Sequence, residues 1–162
     1  MDIHSADAVV QTAIQMEELG RDFYEALASL STDPDQIRIC RGLALAESHH
    51  RDQFNQLRSE LAAQGRTALI DDADLAEIRR VLKEVVVPDR EQMLQALSAG
   101  ELADLLDRAA EMERNSIGFY RGLAEHLNEK GVVLTILEEE LCHLRTLERL
   151  GAKVRSKRGS TS

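Results

Sequence analysis

A chain of 162 residues is long enough to bury one substantial core and short for two domains. Aromatics are 3 % of it and Trp is absent, while Ala, Leu, Glu, Arg and Gln dominate, which is the usage of helices rather than strands. The net charge of −9, with no basic face over the folded length, excludes binding to the phosphate backbone of nucleic acid. The polar opening and the lack of an apolar run of about 18 residues give no sign of a signal peptide or a membrane span, so a cytoplasmic protein is the expectation.

Val10, Ala13, Tyr24 and Leu27 step by three and four, predicting a first helix over about residues 5–30. Glu17 and Gly20 fill the gap in that stripe, so a carboxylate sits mid-seam. At Ser31-Thr32-Asp33-Pro34-Asp35-Gln36 the chain stops and restarts as a tight antiparallel hairpin. Asp33 suits the cap of a new helix, Pro34 its first position and Gln36 the capping-box position. The second helix, over about residues 34–63, has the seam Cys40, Leu43, Glu47, His50, Phe54, Leu57, Leu61. Glu47 and His50 are one turn apart on one face and point into the same layer of core. His49 lies off the seam and reads as solvated.

From Gln64-Gly65-Arg66 to about residue 98 the pattern loosens. Asp71-Asp72-Ala73-Asp74 suits the cap of a short helix reaching about Val86, Val85-Val86-Val87-Pro88-Asp89 breaks it, and another short helical piece follows around residues 92–97. The segment is too long for a hairpin loop. It is either a partly helical crossover along a bundle, with the third helix starting from the same end as the first, or an arm toward a neighbouring subunit. Ser98-Ala99-Gly100-Glu101 reads as a capping box for a third helix reaching about residue 128, with the seam Leu102, Leu106, Ala109, Glu113, Ser116, Tyr120, Leu123, Leu127. After Lys130-Gly131 a fourth helix carries Val133, Ile136, Glu140, His143, Leu147 and Leu150 and is expected to give way at Gly151. Glu111, Glu138 and Glu139 fall on other faces. Residues 1–152 are thus expected to form the bundle, and the basic residues 153–162 a disordered tail.

The two halves repeat. Met16-Glu17-Glu18-Leu19-Gly20-Arg21-Asp22-Phe23-Tyr24 recurs 96 residues on as Met112-Glu113-Arg114-Asn115-Ser116-Ile117-Gly118-Phe119-Tyr120. Glu47-Ser48-His49-His50 is answered by Glu140-Leu141-Cys142-His143. Glu17, Glu47, His50, Glu113, Glu140 and His143 all occupy core seams where Leu or Ala is expected. Four unpartnered carboxylates in an apolar core would each cost several kcal/mol, so they must be protonated, paired or bound to cations. One glutamate and one Glu-x-x-His from each half make the ligand set of a carboxylate-bridged two-metal site inside a four-helix bundle. Oxygen and imidazole ligands without thiolate favour iron or manganese, and zinc would also bind. A metal-free bundle with a buried hydrogen-bond network is the alternative.

Tyr24 and Tyr120 lie two turns after Glu17 and Glu113 on the same faces, placed for each phenol to hydrogen-bond a ligand carboxylate on a facing helix. Gly20 and Ser116, small and beside those glutamates, leave room for metal or for close helix approach. Cys40 and Cys142 stand alone, without Cys-x-x-Cys spacing, and read as small buried hydrophobes.

At these motifs the chain resembles the rubrerythrin-like branch of the ferritin-like superfamily. The stretches from Ala13 to Tyr24, Leu45 to His50, Ala110 to Tyr120 and Glu138 to His143 look like its four helix motifs, and the resemblance covers about residues 6–150. It implies an all-α, ferritin-like four-helix bundle with two iron ions and an enzyme of di-iron peroxidase or oxidase type. Such an enzyme reduces peroxide or dioxygen with electrons from an external donor, commonly as a homodimer. The chain departs from full rubrerythrins in two ways. It has no four-cysteine rubredoxin domain, and Ser116 stands where they carry a further glutamate. The six-ligand set is nearer to that of a ferroxidase, so iron oxidation and handling is the rival reading, and a metal-bound interaction module without redox chemistry a third.

Overall fold

A computed structural model of the chain describes residues 4–63, 69–70, 90–127 and 130–159. The described elements are β1 (His4–Ser5), α1 (Ala6–Leu30), α2 (Pro34–Ala63), β2 (Leu69–Ile70), α3 (Arg90–Ser98), α4 (Leu102–His126) and α5 (Gly131–Gly159). The four long helices form the expected bundle, α1 lying along α2 and α4 along α5. The α1–α2 hairpin closes as its sequence dictates. Asp33 Oδ1 accepts from the backbone N–H of Asp35 at 2.9 Å and of Gln36 at 3.4 Å, with Pro34 in the first helical position, where its missing N–H costs nothing.

The apolar seams gather into two clusters separated along the bundle. Val9, Val10, Ala13, Phe54, Leu57, Tyr120, Leu123, Val133 and Ile136 meet at one end. Phe23, Tyr24, Leu27, Cys40, Leu43, Leu106, Ala109, Leu147 and Leu150 meet at the other. Between them lie Glu17, Glu47, Glu113, Glu140 and His50, all buried. Burying a Leu, Phe or Val side chain contributes about 1.5–3 kcal/mol, so the two clusters supply the stability that holds a polar layer dry between them.

Cluster membership also gives the helix directions. The start of α1 shares its end of the bundle with the end of α2, the end of α4 and the start of α5. So α4 runs antiparallel to α1, and the third long helix does not start from the end where the first starts. The repeat axis lies across the bundle rather than along it. α2 ends at the first of these ends and α4 begins at the other, and residues 64–68 and 71–89 between them lie outside the described residues. β2 pairs antiparallel with β1 at the head of α1, and α3 buries Met93 in the cluster at the opposite end. The short helix expected from Asp71 to Val86 lies outside the described residues.

Two terminus signals act differently from their sequence reading. Ser98 is still helical, and Glu101 precedes α4 without a side-chain cap. Instead Gly100 takes φ 78°, and the N–H groups of Glu101 and Gly100 return to the carbonyls of Ala96 (2.7 Å) and Leu97 (3.0 Å). This is a left-handed glycine closing α3, so the helix stop outcompeted the capping box for the same residues. At the other end of the chain, α5 continues through Gly151 to Gly159 instead of giving way to a disordered tail at residue 153. Lys153 and Lys157 pair with Asp35 (3.6 Å) and Asp33 (3.7 Å) beside the α1–α2 turn, and Arg155 takes both oxygens of Asp107 at 3.0 Å. Val154 packs on the adjoining apolar cluster. Those contacts outweigh the roughly 1 kcal/mol that a glycine costs mid-helix. Among the described residues, no helix is long and apolar enough to cross a membrane.

Candidate metal centre

The polar layer brings all six predicted residues together. Glu17, Glu47, His50 and Glu140 offer ligand atoms within 4.8 Å of one another, and so do Glu47, Glu113, Glu140 and His143. The two sets share Glu47 and Glu140, and each adds one private glutamate and one histidine. Each shared carboxylate turns one oxygen to each set. Around His50 Nδ1 lie Glu140 Oε1 at 2.9 Å, Glu17 Oε2 at 3.4 Å and Glu47 Oε2 at 3.5 Å. Around His143 Nδ1 lie Glu140 Oε2 and Glu47 Oε1, both at 3.6 Å, and Glu113 Oε1 at 3.9 Å. The imidazoles stack with centroids 5.6 Å apart.

These atoms converge at ion-pair distances, the 2.9 Å approach of His50 Nδ1 and Glu140 Oε1 included, without hydrogen-bond geometry. Glu17 Oε2, His50 Nδ1, Glu140 Oε1 and His143 Nδ1 are buried with no hydrogen-bond partner. Orphaned buried acceptors and donors of this kind are rare, and each costs about 1–3 kcal/mol. Lone pairs aimed at a common point from four carboxylates and two imidazoles are the donor set of two divalent cations, and the residues present fit such ions.

The electrostatics of the bare site follow from burial. Desolvation, reinforced by neighbouring carboxylates, pushes Glu17 and Glu113 well above the ordinary carboxylate value. Burial also works against charge on Glu47 and Glu140, but the close private glutamates and imidazoles outweigh it and hold both below the ordinary value. Burial alone would neutralise the histidines too. Their surrounding carboxylates reverse this, raising His50 far above the usual imidazole value and His143 to about 9.

The tyrosines are placed as the i, i+7 spacing predicts. Tyr24 donates its hydroxyl to Glu113 Oε1 and Tyr120 to Glu17 Oε1, each reaching the private glutamate of the opposite half. Burial, with the carboxylates beside them, raises both phenols well above their ordinary value, so they remain donors. Gly20 lies against Glu47: a β-carbon there would stand 3.4 Å from Glu47 Cδ and 3.5 Å from its Oε1, ordinary contact distances. Ser116 is half-buried, and His49, Glu111 and Glu138 are exposed as expected.

Two readings require correction. Cys142 is exposed, not buried, with Arg145 Nη2 at 3.1 Å from its sulfur. Glu139, assigned to another face, contacts the site: its Oε2 lies 2.8 Å from His50 Nε2. A position one residue before a ligand is about 100° round its own helix, yet an imidazole from the adjacent helix reaches into the groove between them. The signal available in sequence was the second nitrogen of a ligand histidine, which usually donates to a carboxylate or carbonyl.

Comparison with known proteins bears on the same layer. A crystal structure from Thermotoga maritima, described as a ferritin-like diiron-carboxylate protein, superposes with a TM-score of 0.72. The match is at 21 % identity and covers 94 % of this chain and 97 % of that one, which places the two in one fold. No curated protein matches the chain. The family model for rubrerythrin matches residues 8–151, spanning all four long helices up to Gly151 and every residue of the buried cluster; the chain belongs to the rubrerythrin family.

Proposed function

We propose that the protein is a di-iron oxidoreductase that reduces peroxide or dioxygen with electrons from a separate donor. The observation that carries the reading is the pair of ligand sets sharing Glu47 and Glu140, with buried oxygens and imidazole nitrogens left unpartnered at their centres. Glu17, Glu47, His50, Glu113, Glu140 and His143 would hold the two ions; manganese or zinc would meet the same donors. Two ferrous ions there would supply one electron each, so that one hydrogen peroxide takes two electrons and two protons and leaves as two waters.

The chain's own residues do the rest. Glu47 and Glu140 fix both positions relative to each other, because each gives an oxygen to either side. Tyr24 and Tyr120 orient Glu113 and Glu17 through their hydroxyls: Tyr120 engages Glu17 Oε1 and leaves Oε2 toward His50, while Tyr24 engages Glu113 Oε1, the oxygen that faces His143. The apolar clusters at both ends exclude water along the bundle axis. His143, at 12 % exposed against 0 % for His50, marks the side on which a small oxidant approaches.

Ser116, lacking a carboxylate where full rubrerythrins have one, favours a second reading in which Fe(II) is oxidised and handed on. One experiment separates the two. Ferrous protein mixed with peroxide is expected to consume it rapidly and to turn over again when a reductant is added, with the iron retained. Glu113→Ala, which loses one private ligand, should abolish that activity. Equal rates in wild type and Glu113→Ala contradict the proposal, and ferric iron recovered free of the protein after each oxidation supports the hand-over reading.

A further inference from the structure

The internal repeat relates the two halves of the site, and one contact breaks the symmetry. Glu47 corresponds to Glu140 and His50 to His143 by a single offset, and by that offset the counterpart of Glu139 is Ala46. An alanine methyl accepts no hydrogen bond. His50 therefore has carboxylates at both ring nitrogens, the cluster at Nδ1 and Glu139 at Nε2. Among the described residues, the carboxylate contacts of His143 are all at Nδ1.

We propose that Glu139 is a positioning residue that makes the two metal positions unequal, the one at His50 binding its ion more tightly and filling first. The inference rests on the di-metal reading given above. To ligate through Nδ1, the nitrogen that faces the other donors, an imidazole must be neutral and carry its proton on Nε2. Glu139 accepts that proton's hydrogen bond, so it selects the ligating tautomer of His50, fixes the ring plane and makes Nδ1 a stronger donor. His143 has no such partner among the described residues and is the more exposed of the two rings, so its ring plane is less constrained.

Carboxylate partners of this kind alter metal affinity by about 10–100-fold. Glu139 is 45 % exposed, so solvent screening puts the expected effect near the low end, about tenfold.

The test measures one ion at a time with Mn²⁺. Glu113→Ala removes a ligand private to the His143 position and leaves the His50 position intact, and Glu17→Ala does the reverse. Calorimetric titration of the metal-free proteins should give a Kd about tenfold lower for Glu113→Ala than for Glu17→Ala. Adding Glu139→Leu should weaken binding about tenfold in the Glu113→Ala background and leave the Glu17→Ala background unchanged. Glu139→Gln, which keeps a neutral acceptor, should recover part of the loss. Equal Kd values in the two backgrounds, or a Glu139→Leu loss of equal size in both, would overturn the inference and identify a merely structural residue. Wild type that binds Mn²⁺ at neither position would overturn the di-metal reading itself, and this inference with it.

Discussion

Glu140→Ala should abolish uptake of both metal ions, whereas Glu17→Ala should abolish uptake of one. Glu140 belongs to both ligand sets and Glu17 to one, so truncating the first removes a donor from each ion and, among the described residues, the only carboxylate within 3 Å of His50 Nδ1. The metal-free variant suffers as well. Glu140 is the main carboxylate raising His50 and His143, lying 2.9 Å and 3.6 Å from their Nδ1 atoms, so its loss removes a buried ion-pair partner of both rings. Removing one partner of a buried ion pair costs about 3–5 kcal/mol, a large share of the total stability of a domain. Metal analysis after Fe(II) loading and urea unfolding in the presence of a chelator measure the two effects separately. An Fe(II) content in Glu140→Ala equal to that of Glu17→Ala would mean that Glu140 is not shared.

The second large effect is on pH. The metal-free protein should lose stability as pH rises, while the stabilisation conferred by metal should grow. Folded Glu17 and Glu113 keep protons that the unfolded chain releases above its ordinary value of 4.5. Folded His50 and His143 keep protons that the unfolded chain releases above 6.5, His143 until about 9. Between about 4.5 and 9 the folded, metal-free state thus binds more protons than the unfolded state, and its stability falls across that window. Glu47 and Glu140, held below their ordinary value, act in the opposite sense: their contribution is present above 4.5 and lost in acid. Metal must displace the protons that the raised Glu17, Glu113, His50 and His143 hold, so affinity rises with pH. Thermal melts with chelator and with Mn²⁺ from about pH 5.5 to 8.5 should therefore diverge. Parallel curves would mean that these four groups do not exchange protons for metal.

The seams carried most of this in the sequence. Of the α2 seam read from the three-and-four spacing, Cys40, Leu43, Glu47, His50, Phe54 and Leu57 are buried, Leu61 is only half-buried, and the structure adds Ala44. A helix buries one stripe whatever its neighbours are, so periodicity reports burial directly. Direction was misread, and the contacts that decide it are seen only in the structure. Tyr24 bonding Glu113 while Tyr120 bonds Glu17 requires the two-turn offset to run oppositely on α1 and α4, so the reciprocal phenol contacts already demand antiparallel helices. A repeat with parallel first and third helices could not satisfy both.

What sequence left obscure depended on competition or on contact across helices. Ser98-Ala99-Gly100-Glu101 contains both a helix start and a helix stop, and the positive φ available to Gly100 decided between them. Gly151 is a reasonable helix end until Asp33, Asp35 and Asp107, distant in sequence, receive Lys157, Lys153 and Arg155. Glu139 is off its own seam and finds its role only once α2 lies beside α5. The pairing of His4–Ser5 with Leu69–Ile70 has no pattern behind it, since two residues are too few to show alternation.

The most direct test of the account is the metal content per chain of protein supplied with Fe(II) under anaerobic conditions, read together with the visible spectrum after air is admitted. Two shared and four private ligands predict about two irons per chain, followed by a ferric absorption band that disappears on reduction. A chain that takes up no iron, or holds zinc tightly and gives no spectral change with oxidant, would leave the bundle in place and contradict the di-iron centre.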